Sequence, residues 1–321
     1  MSQYSRREVL KLGALLAAGL GLDSTYSAVF ADGLQKLSTG QARVLWLQGM
    51  SCSGCSVSFL NSNEPGPVDI LTSMISLLYH STISAAQGAD AMRVIAETIA
   101  SNDFILVLEG AVPTTMPEAC TMGGKTLEAI LVPALKNAKA IAALGTCASF
   151  GGIPAAEGNQ TGAVGLKTFM EQKGISFQNR LVNCPGCPVH PEEVWGTLAY
   201  IVSKGYPAVD PKLLTPNMFY AHSVHDNCPR FHYWEKEIFA KHFGDEEGCL
   251  FKLGCLGPLS HTSCPRRQWN SGVNWCIRAA APCIGCTSES FAKKRDFPFY
   301  RKGEASHPVN YKESERKEVT S

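Results

Sequence analysis

From residue 42 to about 205 the chain alternates two kinds of apolar pattern. Short unbroken runs, ARVLWLQ at 42–48, DFILVLEG at 103–110, AKAIAALG at 138–145 and RLVN at 180–183, have the length of strands buried on both faces. Between them lie the helix-length segments VDILTSMISLLYH (68–80), GADAMRVIAETIA (88–100), GKTLEAILVPALKNA (124–138) and HPEEVWGTLAYIVSKG (190–205). Such alternation predicts a mostly parallel sheet covered by helices. After about 210 the periodic segments thin out. Prolines stand at 258, 265 and 282, and six cysteines fall between 249 and 286. A region so poor in regular elements draws its stability from bound metal.

Composition narrows the class. The 321 residues are 45% hydrophobic, enough for ordinary cores and, as a prior, for about two domains. The net charge of +1 points to neither a nucleic-acid surface nor an acidic substrate. No apolar run reaches the roughly 18–20 residues of a membrane span, so no membrane anchor is expected in this chain. Residues 301–321 form a mixed-charge tail that reads as solvated and flexible.

The first residues read as an address. Ser5-Arg6-Arg7 is followed by Lys11 and the mild apolar run LGALLAAGLGL, and Val29 and Ala31 are small residues suited to a cleavage site before Asp32. The pattern resembles a twin-arginine export signal, with Val9 where that pattern usually has Phe. An ordinary amphipathic helix is the alternative. Export by that route carries folded proteins, often ones loaded with a cofactor beforehand, and implies a periplasmic location.

Thirteen cysteines in an exported chain would ordinarily suggest disulfides, but the number is odd and the chain is far larger than disulfide-stapled scaffolds. Cys52-x-x-Cys55, Cys184-x-x-Cys187 and Cys283-x-x-Cys286 sit in Gly/Pro-rich stretches, a spacing that brings thiolates together on a metal centre. Cys52, Cys55, Cys147 and Cys187 each follow a predicted strand. In an open α/β sheet, ligands bind outside the carboxyl ends of the strands, so these four thiolates, the complement of one [4Fe–4S] cluster, should meet at one edge. Glu109 ends a further strand and belongs to the same edge.

CSGCSVSFLN, EGAVPT, GTCASFGGIPAAEGN, GCPVHP, VHDNCPR, GCLFKLGCLGP and CIGC occur in this order. Together they resemble the small, electron-transferring subunit of periplasmic nickel–iron hydrogenases over nearly the whole chain after the leader. The resemblance implies three iron–sulfur clusters in a line. The proximal one would be held by Cys52, Cys55, Cys147 and Cys187, and the distal one by His225, Cys228, Cys249 and Cys255, with His222 as a nearby competitor for His225. The middle one would be held by Cys264, Cys283 and Cys286. In the common form of the family Pro stands where this chain has Cys276, and the middle centre is [3Fe–4S]; Cys276 would make it a [4Fe–4S] cluster. Cys120 and Cys184 are then left over as packed non-ligands.

Further positions refine the resemblance. Gly54 and Gly152 stand where some oxygen-tolerant members carry extra cysteines, so an ordinary proximal cluster is implied. Val57, where many members have Glu, together with Cys276, is more like the nickel–iron–selenium branch. The implied fold is α/β: a flavodoxin-like parallel-sheet domain over 32–210, after a signal peptide over 1–31, then a mostly irregular two-cluster iron–sulfur domain over 211–300. The implied role is relay of electrons between the Ni–Fe site of a large subunit and an acceptor such as a c-type cytochrome. Hydrogen chemistry would lie in the partner and no catalytic residue in this chain; Glu109 would tune the proximal cluster or serve as a hydrogen-bond acceptor. Rival readings from the cysteines alone are a stand-alone ferredoxin-like carrier and a zinc-stabilised module.

Overall fold

The computed structural model describes residues 6–19, 22, 24–38, 42–63, 66–69 and 75–293. The tail expected over 301–321, residues 294–300 and Ser5 of the expected leader lie outside the described residues.

Two helices, α1 (Arg6–Gly19) and α2 (Ser24–Ser38), precede strand β1 (Arg43–Gln48). Next come α3 (Gly54–Leu60), the single turn α4 (Pro67–Asp69), β2 (Ser76–His80), α5 (Gly88–Ser101) and β3 (Ile105–Glu109). A two-residue hairpin, β4 (Thr121–Met122) and β5 (Lys125–Thr126), leads into α6 (Leu127–Asn137), β6 (Ala140–Leu144), α7 (Gly145–Phe150), α8 (Leu166–Gln172), β7 (Leu181–Cys184) and α9 (Pro191–Lys204). The main sheet has the order β2-β1-β3-β6-β7, parallel throughout. That is the doubly wound, flavodoxin-like order, and its switch point lies between β1 and β3.

Alternate strand residues face opposite layers. Val44, Trp46, Val107, Ala142 and Val182 join Phe59, Trp195 and Leu198 in one core. Leu45, Leu47, Leu106, Leu108 and Ile141 join Ile95, Leu131 and Phe169 in the other. The register aligns Gln48 with Glu109, Glu109 with Leu144, and Leu144 with Cys184, so the carboxyl ends form one row.

The structure departs from the sequence expectation at 68–80. That segment reads as one helix, yet Ser76–His80 is the edge strand β2, paired with β1 through Trp46 and His80. A five-residue apolar run carries too little periodicity to distinguish the two, and pairing with β1 decides it. The N-terminal segment also differs from a leader lying outside the fold. Helix α2 runs through Ala31 and Asp32, and Phe30 and Ala31 are buried in the layer formed with α9. Gly33 approaches Ala199 so closely that a Cβ would stand 2.2 Å from its carbonyl oxygen. Asp32 and Lys36 pair at 2.9 Å beside Ser203 of α9.

Beyond α9, regular structure is sparse. Helices α10 (Asn217–Tyr220), α11 (Phe231–Glu235) and α12 (Cys264–Arg267) are no longer than five residues. No helix among the described residues is long and apolar enough to cross a membrane.

Candidate functional site

The loops after β1, β6 and β7 bring Cys52, Cys55, Cys147 and Cys187 to the carboxyl edge of the sheet. Cys55 opens α3 and Cys147 lies in α7, so two stretches expected as loops are short helices seated on strand ends. Burial is the first cause of the raised thiol pKa at Cys55, followed by Glu109 and by Cys147 and Cys187. Cys147 is pushed up to about 11 by burial, with Cys187 and Cys52 adding to it. Thiols that raise one another are neighbours, and bound metal cations would favour their thiolates.

Three glycines let the backbone approach the cysteine sulfurs closely. Gly145 has φ +82°, and a Cβ there would stand 2.5 Å from the Cys55 sulfur. A Cβ on Gly152 (φ +52°) would stand 2.9 Å from the Cys147 sulfur, and one on Gly54 3.1 Å from that of Cys52. Among the described residues no three His, Cys, Asp or Glu side chains converge as around a single ion. Four thiols gathered at one edge match the donor number of a [4Fe–4S] cluster.

Glu109 is buried directly behind this edge. Its Oε1 accepts the Cys55 amide at 3.0 Å and the Ser56 amide at 3.3 Å. Its Oε2 accepts the Trp46 indole N–H at 3.2 Å, the Gln48 amide at 3.3 Å and the Ser56 hydroxyl. The Ser56 oxygen lies 3.0 Å from His80 Nε2. His80 Nδ1 accepts the Thr82 amide, which leaves the ring proton on Nε2 facing Ser56. Burial lowers the His80 pKa to about 4, opposed by Glu109. The ring therefore stays neutral, 4.9 Å from that of Trp46.

His225, Cys228, Cys249 and Cys255 line a second, smaller cavity. The imidazole of His225 is wedged edge-on against Phe231 at 5.0 Å and Trp234 at 5.2 Å. Its competitor His222 is exposed and outside this lining. Arg230 forms part of the wall, donating to the carbonyls of Gly248 at 2.9 Å and Asp245 at 2.8 Å. Burial raises the Cys249 thiol, while the Phe251 amide and Arg230 oppose that.

Cys264, Cys276, Cys283 and Cys286 line a cavity of about 560 Å³ that also reaches Cys187. Burial pushes the Cys264 thiol up to about 12, with Glu193 adding to it, while Thr262 and the Trp269 indole, 3.4 Å from the sulfur, lower it. Cys276 is more exposed than its companions, yet it raises both Cys283 and Cys286, so it belongs to their neighbourhood. Cys184 instead turns into the core against Thr197 at 3.4 Å, and Cys120 lies far along the chain on the hairpin side of α6.

Several residues at the joint between sheet and irregular region escaped the sequence reading. Glu193 of α9 is buried and accepts Tyr220 Oη at 2.8 Å, Thr262 Oγ1 at 3.0 Å and the Ser263 amide at 3.1 Å. It thereby holds the start of α12, which carries Cys264. Burial, then Glu193, raises the Tyr220 pKa well above its ordinary value, so the phenol stays a donor. His190 Nε2 meets the Gln268 carbonyl at 2.7 Å, and Glu192 pairs with Arg267. The one sequence signal was an acidic pair, Glu192-Glu193, leading an otherwise apolar helix.

Comparison with known proteins gives a consistent set. Residues 220–300 match the family described as the C-terminal part of the NiFe/NiFeSe hydrogenase small subunit, and residues 52–201 match the family described as NADH ubiquinone oxidoreductase, 20 Kd subunit. The chain is 37% identical to the periplasmic [NiFeSe] hydrogenase small subunit of Desulfomicrobium baculatum, over 92% of this chain and 98% of that one. It is 36% identical to the periplasmic [NiFe] hydrogenase small subunit 1 of Nitratidesulfovibrio vulgaris, over 92% and 93%. Among solved structures, the recombinant oxidized [NiFeSe] hydrogenase from Desulfovibrio vulgaris Hildenborough superposes with a TM-score of 0.76 at 36% identity. That match covers 81% of this chain and 98% of the other.

Proposed function

The chain belongs to the NiFe/NiFeSe hydrogenase small-subunit family, and from that premise we propose that it relays electrons between the large subunit and an external acceptor through three [4Fe–4S] clusters. As a family member it is part of a hydrogenase, and small subunits of this family pair with a large subunit that carries the active site. Membership of a subunit family leaves the stand-alone carrier without a supporting observation.

The proposed ligands are Cys52, Cys55, Cys147 and Cys187 for the proximal cluster, Cys264, Cys276, Cys283 and Cys286 for the middle one, and His225, Cys228, Cys249 and Cys255 for the distal one. When bound, such clusters supply one-electron carriers whose potentials follow ligand charge, hydrogen bonds to sulfur and exposure. The chain's own residues do the rest. Glu109 and the glycines at 145 and 152 shape the proximal seat, Glu193 holds the middle segment against the sheet, and Arg230 and the aromatic wall fix His225. The observation that carries the reading is that neighbouring ligand sets touch: the Thr146 hydroxyl, next to Cys147, donates to the Cys286 carbonyl, and the Cys283 amide donates to the Cys255 sulfur.

The large subunit is expected to cover the proximal edge. Around it stand exposed apolar side chains, Val57 at 57%, Ile153 at 49% and Met116 at 44% exposure, a grouping suited to an interface core. The acceptor is proposed to be a c-type cytochrome meeting the distal side. Periplasmic location after twin-arginine export and division into units over 32–210 and 211–300 complete the proposal.

Iron and sulfide analysis of the purified two-subunit enzyme, with redox titration followed by magnetic resonance, tests it. Iron and sulfide for three cubes, with three one-electron waves, is the expected result. A zinc content, or a single iron–sulfur signal, overturns it.

A further inference from the structure

Thr146 sits between Gly145 and Cys147 at the end of β6, and its side chain is buried. Its amide donates to the Gly186 carbonyl at 2.9 Å, and its Oγ1 accepts the Gly186 amide at 2.9 Å. That pair of bonds locks the start of α7, which bears Cys147, to the loop bearing Cys187. The hydroxyl's single proton is then donated to the carbonyl oxygen of Cys286. One oxygen atom therefore joins two proximal-ligand segments to a residue of the middle set, where the Cys187 amide also acts to lower the pKa of the buried Cys286 thiol.

We propose that Thr146 is a positioning residue for inter-cluster electron transfer, its hydroxyl fixing the middle ligand segment against the proximal loops and supplying a hydrogen-bonded bridge between them. The inference rests on the three-cluster reading above. Electron tunnelling decays steeply across empty gaps and more slowly along covalent and hydrogen-bonded paths. The route from Cys147 through the Thr146 backbone and hydroxyl to Cys286 contains no gap. In the step it serves, one electron leaves the proximal site and one arrives at the middle site. No bond breaks, and the hydroxyl keeps its proton.

Apart from the Cys187 amide beside the Cys286 sulfur, no other group described at this joint links a proximal-ligand segment to the middle set. Glu193 reaches Ser263 and Thr262, and His190 reaches Gln268, but both extend from α9 and its cap rather than from a proximal-ligand loop. Valine at 146 would keep the shape and leave the Cys286 carbonyl and the Gly186 amide without this partner. Serine would keep both bonds.

The test uses the assembled two-subunit enzyme. Iron content, the proximal and middle midpoint potentials, the magnetic coupling between the reduced centres, and the transfer rate between them after a pulse of reductant are measured in wild type, Thr146→Val and Thr146→Ser. Thr146→Val is expected to slow the transfer several-fold and weaken the coupling while iron content holds; Thr146→Ser is expected to match wild type. Wild-type rate and coupling in an iron-replete Thr146→Val enzyme overturn the proposal. Should the valine enzyme fail to assemble, Thr146→Ala carries the same readouts, and an unslowed transfer there overturns it equally. Absence of three clusters from the wild-type spectrum would instead overturn the functional reading, and is seen before any variant is made.

Discussion

The backbone amide of Cys283 lies 3.4 Å from the sulfur of Cys255. A residue proposed for the middle cluster thus donates to a sulfur proposed for the distal one. An amide donated to a cluster sulfur stabilises the reduced, more negative state, so with the proposed clusters bound this backbone segment would shape the potential of one and the position of the other.

On the proposed reading, Cys276 decides the character of the middle centre. A Cys276→Pro enzyme should lose one iron from that centre and show a three-iron magnetic signature, with its midpoint potential raised relative to wild type. Cys276→Ala should do the same, which separates loss of the thiol from any effect of proline on the backbone. Iron counting with redox titration checks it; an unchanged middle signal in both variants would remove Cys276 from the ligand set.

Glu109 is a buried acceptor with five donors around it. Glu109→Gln turns an –NH₂ toward some of those donors, leaving at least one buried group unpaired, at a cost of about 1–3 kcal/mol. Removing a negative charge beside the proximal site also favours the reduced state there, so its potential should rise. Denaturant unfolding and a redox titration read the two effects separately. An unchanged proximal potential would reduce Glu109 to an anchor of α3.

Gly145 and Gly158 share φ +82°, but only Gly145 faces a sulfur; nothing lies within 4 Å of a Cβ at Gly158. Gly158→Ala should cost about 1–2 kcal/mol of left-handed strain and keep its iron. Gly145→Ala should lose the proximal cluster as well. Equal iron in both proteins would show that the Gly145 space is not needed.

Stripped of iron, the chain should weaken on the alkaline side. The Cys147 thiol is pushed up to about 11 and Cys255, Cys264 and Cys283 to about 12, from an ordinary 9.0, burial being the first cause in each case. The folded thiols hold their protons while unfolded ones release them. This stabilisation is complete below 9.0 and is lost as pH climbs toward about 12. Urea unfolding of the iron-free chain at about pH 8 and about pH 10 should show lower stability at the higher value. Reconstitution runs the other way, since metal binding releases thiol protons and gains as pH rises.

Legibility followed the range of the interactions. ARVLWLQ and DFILVLEG read as strands because both faces of β1 and β3 are buried, which makes the apolar run continuous. The position of Cys52, Cys55, Cys147 and Cys187 at one edge followed from each lying just after a strand of a parallel sheet. SLLYH did not read as a strand because five residues at a sheet edge carry no decisive period. Thr146 and Glu193 were silent because their roles rest on partners 140 and 70 positions away, Cys286 and Ser263, and no local pattern marks such a bond.

The seat of α2 on α9 bears on how a leader is taken off. The bond between Ala31 and Asp32 lies inside a helix whose Phe30 is wholly buried. A peptidase needs its target extended and reachable, so cleavage at this bond, if the proposed leader is removed, would require the helix to be drawn off α9 first. On that proposal the segment would act as a splint, shielding a strip of the sheet domain until its removal let that strip meet water.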